Sequence, residues 1–132
     1  MTATGARTHA RTILVVDDDR HSREGLRDAL LQEGHSVETA ADAWQAITAV
    51  HDRDVDVAIV DLDLPPLCGV RLSGRDFARI FRAYLPAITL IVISAEDDAA
   101  LRHESRSLRI TEVLEKPISP SHVKAIVRGL GG

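Results

Sequence analysis

Aspartates follow two apolar runs of the sequence at the point where each run ends. The triplet Asp17-Asp18-Asp19 follows residues 12–16, and Asp61 and Asp63 follow residues 57–60. Two carboxylates about 4 Å apart repel by roughly 4 kcal/mol at an effective dielectric of 20, so several gathered together require a cation or bound protons. Mg²⁺ takes carboxylate oxygens together with waters and phosphate oxygens. The pattern favours a Mg²⁺ site, although a single aspartate at a strand end more often solvates a loop or caps a helix.

A serine and a lysine end two later apolar runs. Lys116 is one of only two lysines among 16 basic residues, and it directly precedes Pro117. Proline pushes its predecessor into extended geometry, and a compact ammonium suits a phosphate or carboxylate group in a small space. Ser94 follows residues 88–93 and offers one hydroxyl donor. Taken alone, either residue would be read as an ordinary surface residue at a strand end.

The apolar runs are predicted to be strands that alternate with helices. Residues 55–60 are rich in Val and Ile, and Asp56 is the only polar residue among them. This composition is typical of a strand buried on both faces. Other strands are expected at residues 12–16, 36–40, 88–93 and 113–114. Helices are expected at residues 21–33, after the cap Asp42, around Phe77, Ile80, Phe81 and Tyr84, at residues 95–108, and after Ser119 or Ser121.

This alternation predicts an α/β fold, in which a five-stranded parallel sheet carries helices on both faces. The carboxyl ends of parallel strands lie at one edge of the sheet, where ligands bind in open α/β proteins. We therefore expect the aspartates, Ser94 and Lys116 to lie together at that edge. Residues 1–11 are predicted to form a flexible tail, and residues 12–132 a single domain.

Composition limits the class of protein. Apolar residues make up 45% and charged residues 27% of the sequence, as in ordinary globular proteins. The net charge of −4 argues against binding nucleic acid through general basicity. A single cysteine, Cys68, fits a reducing compartment. Because no apolar run approaches the ~18 residues needed to span a bilayer, the sequence predicts a cytoplasmic protein without membrane association.

Four motifs together resemble the receiver domain of two-component response regulators. They are the first strand with its aspartate triplet, Val60-Asp61 with Leu64-Pro65 and Gly69 downstream, Ile93-Ser94-Ala95, and Glu115-Lys116-Pro117. The resemblance covers residues 12–130. It implies a flavodoxin-like (βα)5 fold with strand order 2-1-3-4-5, an order for which a member of this family is a standard example.

The resemblance also implies a role for each site residue. Asp61 would accept a phosphoryl group, and Ser94 and Lys116 would hold the phosphoryl oxygens. Mg²⁺ would be bound directly by Asp18, by Asp17 through water or by orientation, by Asp61, and by the backbone carbonyl of Asp63. Phosphoryl transfer requires alignment and charge neutralisation more than covalent assistance, which such a site provides. The Lys116–Pro117 bond is a candidate for the cis isomer.

The implied partners are those of a phosphorelay. The donor would be a sensor histidine kinase or a phosphotransfer protein, and an output domain or partner protein would respond to the conformational change. Homodimerisation is compatible with the family, whereas direct nucleic-acid binding by this domain is not expected. The domain would catalyse only its own phosphorylation and dephosphorylation.

Several positions depart from the family pattern. Val113 occupies the place of an aromatic residue that usually rotates on activation, and Arg109-Ile110 replaces a usual Gly-Ala pair. Cys68 stands where Asp or Asn is frequent, and we interpret it as a residue that packs or is indifferent, and not as a redox sensor. Asp63 and Glu96, each two positions beyond a site residue, add negative charge to the pocket.

Two alternatives use the same residues differently. Haloacid-dehalogenase-like phosphatases also place Asp-x-Asp after a strand, as in Asp61-Leu62-Asp63, but Leu64-Pro65 replaces the usual continuation. Such a phosphatase would turn over repeatedly on a phosphate monoester, whereas a receiver would form one stoichiometric aspartyl phosphate. The second alternative is a degenerate receiver that acts only as a protein-binding module.

Overall fold

The computed structural model describes residues 10–95 and 99–130 of the chain. Five strands and five helices alternate there, as the sequence pattern predicts. Their bounds are β1 Thr12–Val16, α1 Arg20–Gln32, β2 Ser36–Ala40, α2 Ala43–Asp52, β3 Val57–Asp61, α3 Gly74–Tyr84, β4 Thr89–Ser94, α4 Ala99–Glu104, β5 Ile110–Glu115 and α5 Pro120–Arg128. Residues 1–9, most of the predicted tail, lie outside the described residues, as do Glu96 and the last two glycines. The tail therefore stays a prediction.

The strands form one parallel sheet in the order β2-β1-β3-β4-β5. This order confirms the topology that the resemblance implies. Val16 pairs with Val60, Asp61 with Ile93, and Ser94 with Glu115, so the strands end nearly level with one another. The register therefore brings the polar residues that follow each strand to a common edge.

The core has one layer on each face of the sheet. All five residues of β3 are buried, which confirms the prediction of a central strand. Its side chains alternate between the faces: Ala58 and Val60 pack with α2 and α3, whereas Val57 and Ile59 pack with α1 and α5. Burial on both faces fixes the position of the strand that ends in Asp61.

Helix α3 begins sharply and packs on the core through its two phenylalanines. The Ser73 side chain accepts from the backbone of Asp76 and Asp76 caps the backbone of Ser73, so the helix starts at Gly74 despite that glycine's low helix propensity. Phe77 and Phe81 are buried as expected. Tyr84, which shares their helical spacing in the sequence, is 61% exposed.

Two other predicted elements differ in length. The helix predicted over residues 95–108 is described only over Ala99–Glu104, and turns follow it to residue 109. Strand β5 is longer than the predicted residues 113–114 and begins at Ile110. Two backbone hydrogen bonds between Leu67 and Val70 close a tight turn after β3, with Cys68 and Gly69 at positive φ angles of 51° and 81°. Cys68 is exposed in this turn, so of the two interpretations the packing role is wrong and an indifferent residue fits.

Candidate functional site

Asp61 is the last residue of β3 and is 2% exposed. The chain keeps its pairing with β4 just beyond it, because the backbone N–H of Leu62 donates to the Ile93 carbonyl at 2.8 Å. The N–H of Asp63 donates to Asp61 Oδ1 at 2.8 Å, and Lys116 Nζ lies 2.7 Å from Asp61 Oδ2. Both oxygens of this carboxylate are therefore held in place.

Lys116 reaches Asp61 from the end of β5. Its backbone N–H donates to the Ser94 carbonyl at 2.9 Å, which fixes the residue beside the end of β4. Its ammonium also contacts Asp63 Oδ2 at 3.3 Å, so one lysine bridges two carboxylates. The Lys116–Pro117 bond is cis, as predicted.

Asp17 is the second buried carboxylate of this edge and is 5% exposed. Its backbone N–H donates to the Ala40 carbonyl at 3.1 Å, and its Oδ1 accepts from the N–H of Asp19 at 2.9 Å. Arg23 on α1 donates to the Asp17 carbonyl at 2.8 Å. These contacts hold the loop that follows β1 against the sheet edge.

The other two residues of the triplet are exposed. Asp19 is the N-cap of α1 and accepts from the N–H of Ser22 at 2.8 Å. This bond holds the pKa of Asp19 below its ordinary value, and a carboxylate at a helix N-terminus is further favoured by the helix dipole. Asp18 therefore remains the exposed carboxylate of the triplet that has no capping role.

Burial makes the charge of the two inner carboxylates unfavourable. It raises the pKa of Asp61, against the opposing hydrogen bond from Lys116. Burial also raises the pKa of Asp17, to which the nearby charge of Asp61 adds. The pKa of Lys116 is raised because its contacts with Asp61 and Asp63 outweigh its partial burial. One ammonium thus faces more than one carboxylate, an excess of negative charge that a bound cation would relieve.

The donor set suits Mg²⁺, although it is sparse. Within residues 10–95 and 99–130, no group of three or more His, Cys, Asp or Glu side chains is arranged to hold a metal ion. Mg²⁺ does not need such a group, because it keeps several waters and takes one or two carboxylates plus substrate oxygens. Asp17 and Asp61, which line one cavity, would be such a pair. Asp18 is exposed next to Asp17, and the Asp63 backbone lies beside Asp61.

Ser94 and Val113 lie on the fourth and fifth strands, as the sequence predicts. Ser94 ends β4 and is half-buried at the same sheet edge. Val113 is half-buried in β5 and packs against the core layer that contains Leu101 of α4. Glu96, the second extra acid of the pocket, lies outside the described residues, so its predicted effect stays a prediction.

A cavity of about 590 Å³ opens onto Asp17, Asp61 and Lys116. Much of its wall is apolar and comes from α1, the end of β4 and the segment after Lys116: Leu26, Ile93, Pro117, Ile118 and Pro120. Sequence reasoning missed this cavity. Gly25 is the sequence feature that could have indicated the cavity, because a glycine inside a helix weakens that helix. Here no atom lies within 4 Å of a Cβ added to Gly25, so this part of the α1 surface is open.

Comparison with known proteins identifies the class. A family model described as response regulator receiver domain matches residues 13–128. The response regulator MprA of Mycobacterium sp. (strain KMS) is 32% identical over 118 residues, which are 89% of this chain and 49% of that protein. The chain thus spans about half the length of the curated relatives it matches.

Solved structures show the same fold. The CheY-like receiver domain protein of Methanospirillum hungatei JF-1 superposes with a TM-score of 0.77 at 21% identity, covering 90% of this chain and 91% of that one. Chemotaxis protein CheY4 of Vibrio cholerae superposes with a TM-score of 0.75 at 26% identity, covering 92% and 99%. The chain belongs to the response regulator receiver domains of two-component signalling systems. Over the part of the chain that is described, no helix has the length and apolarity to cross a membrane.

Proposed function

We propose that Asp61 accepts a phosphoryl group from a phosphohistidine of a sensor histidine kinase or a phosphotransfer protein. The observation that carries this proposal is the position of Asp61, buried at the end of the central strand with Lys116 2.7 Å from one of its oxygens. In the transfer, an Asp61 oxygen bonds to phosphorus while the P–N bond breaks. The electron pair goes to the imidazole nitrogen, which takes up a proton from solvent.

The chain's own residues supply alignment. Lys116 bridges Asp61 and Asp63 before transfer, and its ammonium then turns to an oxygen of the incoming phosphoryl group. Ser94 sits across the same edge and holds a second phosphoryl oxygen through its hydroxyl. Asp17, Asp18, Asp61 and the Asp63 carbonyl would hold Mg²⁺, which when bound neutralises the charge that gathers on the phosphoryl oxygens.

The cavity beside Asp61 provides the route for the donor. Its volume of about 590 Å³ exceeds what one imidazole needs, and its apolar wall can pack against the helix or loop that carries the donor histidine. We infer that the domain shows no other catalysis than its own phosphorylation and dephosphorylation. An output domain or partner protein would respond to the phosphorylated state, and homodimerisation, the absence of nucleic-acid binding and a cytoplasmic location remain predictions of the sequence.

The test is direct phosphorylation by acetyl phosphate with Mg²⁺. We expect at most one phosphoryl group per chain, and reduction with borohydride should convert the phosphorylated residue to homoserine in the peptide that contains Asp61. Chelating the metal should prevent the reaction, and Asp18→Asn should raise the Mg²⁺ concentration it requires. Modification of another peptide would contradict the assignment of Asp61.

The same experiment separates the alternatives. Repeated turnover of a phosphate monoester would support the haloacid-dehalogenase-like phosphatase, which the family match and the receiver-like strand order disfavour. Absence of any phosphorylation, by a small donor or a kinase, would support the degenerate receiver. Asp17, Asp61 and Lys116 line one cavity, which favours an active receiver.

A further inference from the structure

Helix α4 has a thin attachment to the core. Leu101 is the one buried side chain between Ala99 and Glu104, and Leu108, in the turns that follow, packs half-buried against the same core layer. Because hydrophobic stabilisation scales with the apolar area that is buried, so little area holds α4 only loosely. Its position therefore depends on polar contacts more than the positions of the other helices do.

Those polar contacts come from α3. Arg75, Arg79 and Arg82 are spaced by four and three residues, which places them in one stripe of the helix. Arg79 Nη2 donates to Glu104 Oε1 at 2.6 Å, and Arg75 Nη1 lies 3.7 Å from Glu104 Oε2. We refer to Arg75, Arg79 and Glu104 as the α3–α4 tether.

Arg82 fixes the chain immediately beyond the tether. Its side chain donates to the carbonyls of Leu108 and Arg109 at 2.8 and 2.9 Å. The residues after α4 are thus held on α3 independently of Glu104. Because Leu108 and Arg109 are held on α3, a displacement of α4 relative to α3 requires the residues between Glu104 and Leu108 to move as well.

The ion pairs of the tether are weak enough to be broken, because their arginines are partly exposed to solvent. Arg75 and Arg79 are close to half exposed, and ion pairs of this kind contribute about 1 kcal/mol or less. Glu104 is less exposed, and its Oε2 is buried without a hydrogen-bond partner among the described residues. The hydrogen bond of this carboxylate therefore comes from Arg79 on Oε1, whereas Oε2 has the longer ion-pair contact with Arg75 at 3.7 Å.

We propose that the α3–α4 tether restrains α4 in its unphosphorylated position and thereby opposes activation. The inference rests on the proposed function of Asp61. In this structure Lys116 still bonds Asp61 and Asp63, which is the arrangement before transfer. In this proposal α4 changes position when Asp61 is phosphorylated. A contact made only before that change must, by linkage, weaken the binding of any ligand that favours the phosphorylated state.

The test uses Glu104→Gln, which preserves shape and removes the charge. Glu33→Gln is the matched control, since Glu33 pairs with Arg128 at 2.7 Å, its side chain is 27% exposed against 26% for Glu104, and the pair joins α1 to α5. Two measurements are made: amide hydrogen exchange over residues 99–108 without ligand, and the apparent affinity for beryllofluoride with Mg²⁺.

We expect Glu104→Gln to accelerate exchange over residues 99–108 and to tighten beryllofluoride binding by about two- to fivefold, the range that a surface ion pair allows. Glu33→Gln should change neither. Arg79→Gln should act in the same direction as Glu104→Gln. In the double variant the two effects should add less than fully, because both substitutions remove the Arg79–Glu104 contact.

Different failures have different meanings. Unchanged exchange in both Glu104→Gln and Arg79→Gln would overturn the tether itself. Faster exchange with unchanged or weaker beryllofluoride binding would show that the contact holds α4 without opposing activation, which also overturns the proposal. If neither the parent chain nor any variant bound beryllofluoride, the proposed function would be wrong, and so would the coupling of the tether to activation. The exchange data would still decide whether α3 holds α4.

Discussion

At the scale of residues, each carboxylate oxygen of Asp61 already has a partner from the chain itself before any phosphoryl donor binds. The Asp63 N–H holds one oxygen, and the Lys116 ammonium holds the other. Since the first contact comes from backbone, it can persist through transfer. The second comes from a flexible side chain that also touches the Asp63 carboxylate, so the rate of transfer should depend on how easily Lys116 is released.

The side chain of Asp63 is therefore expected to slow phosphorylation by small anionic donors. It is half exposed at the mouth of the site and competes for Lys116. Asp63→Asn should speed phosphorylation by acetyl phosphate about two- to fivefold at low ionic strength, with the gain reduced by salt. Because Glu96 is the second extra acid predicted for the pocket, the double variant Asp63→Asn with Glu96→Gln should be at least as fast.

Phosphorylation is followed by intact-mass spectrometry against time. Asp54→Asn is the control, because Asp54 is an exposed acid before β3, at the opposite edge of the sheet. An unchanged or slower rate in Asp63→Asn, or an equal gain in Asp54→Asn, would count against a local effect of Asp63 on the donor.

At the scale of elements, strand positions and the site could be predicted from sequence, whereas helix surroundings could not. Asp61, Lys116 and Ser94 end apolar runs, and parallel pairing alone brings such ends together. Arg82 was missed because its charge marks it as a surface residue, although it is only 9% exposed. Tyr84 shares the helical spacing of Phe77 and Phe81 but is 61% exposed, because a periodicity count cannot tell which neighbouring helix covers a given face.

Among the charged residues of α3, Arg82 is expected to contribute most to the free energy of unfolding. Its guanidinium donates to carbonyls of the α3–β4 loop, Leu85, Pro86 and Ile88, as well as to Leu108 and Arg109. Burial lowers the pKa of Arg82, so the carbonyls stabilise a charge that has left water. Arg82→Lys cannot reach both loops, and each buried carbonyl left without a partner carries a cost.

We expect Arg82→Lys to lower the free energy of unfolding by roughly 2 to 4 kcal/mol. Arg79→Lys, on the same helix but half exposed, should stay within about 0.5 kcal/mol of the parent. Urea unfolding monitored by circular dichroism measures both. Equal effects of the two substitutions would show that the carbonyl contacts of Arg82 contribute little.

At the scale of the whole molecule, the sheet edge concentrates negative charge in a chain whose net charge is already −4. The parallel order β2-β1-β3-β4-β5 places β1 and β3 side by side, so the two buried carboxylates Asp17 and Asp61 come from adjacent strands. This arrangement is costly for the metal-free fold and useful for binding a cation. Stability and function are therefore opposed at this edge.

The pH dependence of stability should reveal that opposition. The pKa of Asp17 is raised by burial above the ordinary value of 3.8, so the folded chain binds this proton more tightly than the unfolded chain does. Its stabilising contribution is then fully present below the unfolded pKa and is lost as the pH rises through the folded pKa. Asn at this position keeps the acceptor for the Asp19 N–H but carries no charge.

Asp17→Asn should therefore stabilise the metal-free protein at pH 7, by on the order of 1 kcal/mol, and the gain should shrink towards pH 4. Urea unfolding in the presence of a chelator, at both pH values, measures the difference between variant and parent. A gain in stability that is independent of pH, or a loss of stability at pH 7, would show that the buried charge of Asp17 does not destabilise the metal-free fold.

Intact-mass spectrometry of the parent chain and two variants decides whether Asp61 carries the phosphoryl group. The parent, Asp61→Asn and Asp63→Asn are exposed to acetyl phosphate and Mg²⁺, and their intact masses are compared. We predict an adduct of about 80 Da, one phosphoryl group, on the parent and on Asp63→Asn but none on Asp61→Asn. An undiminished adduct on Asp61→Asn would show that the phosphoryl group is carried elsewhere and would contradict the assignment.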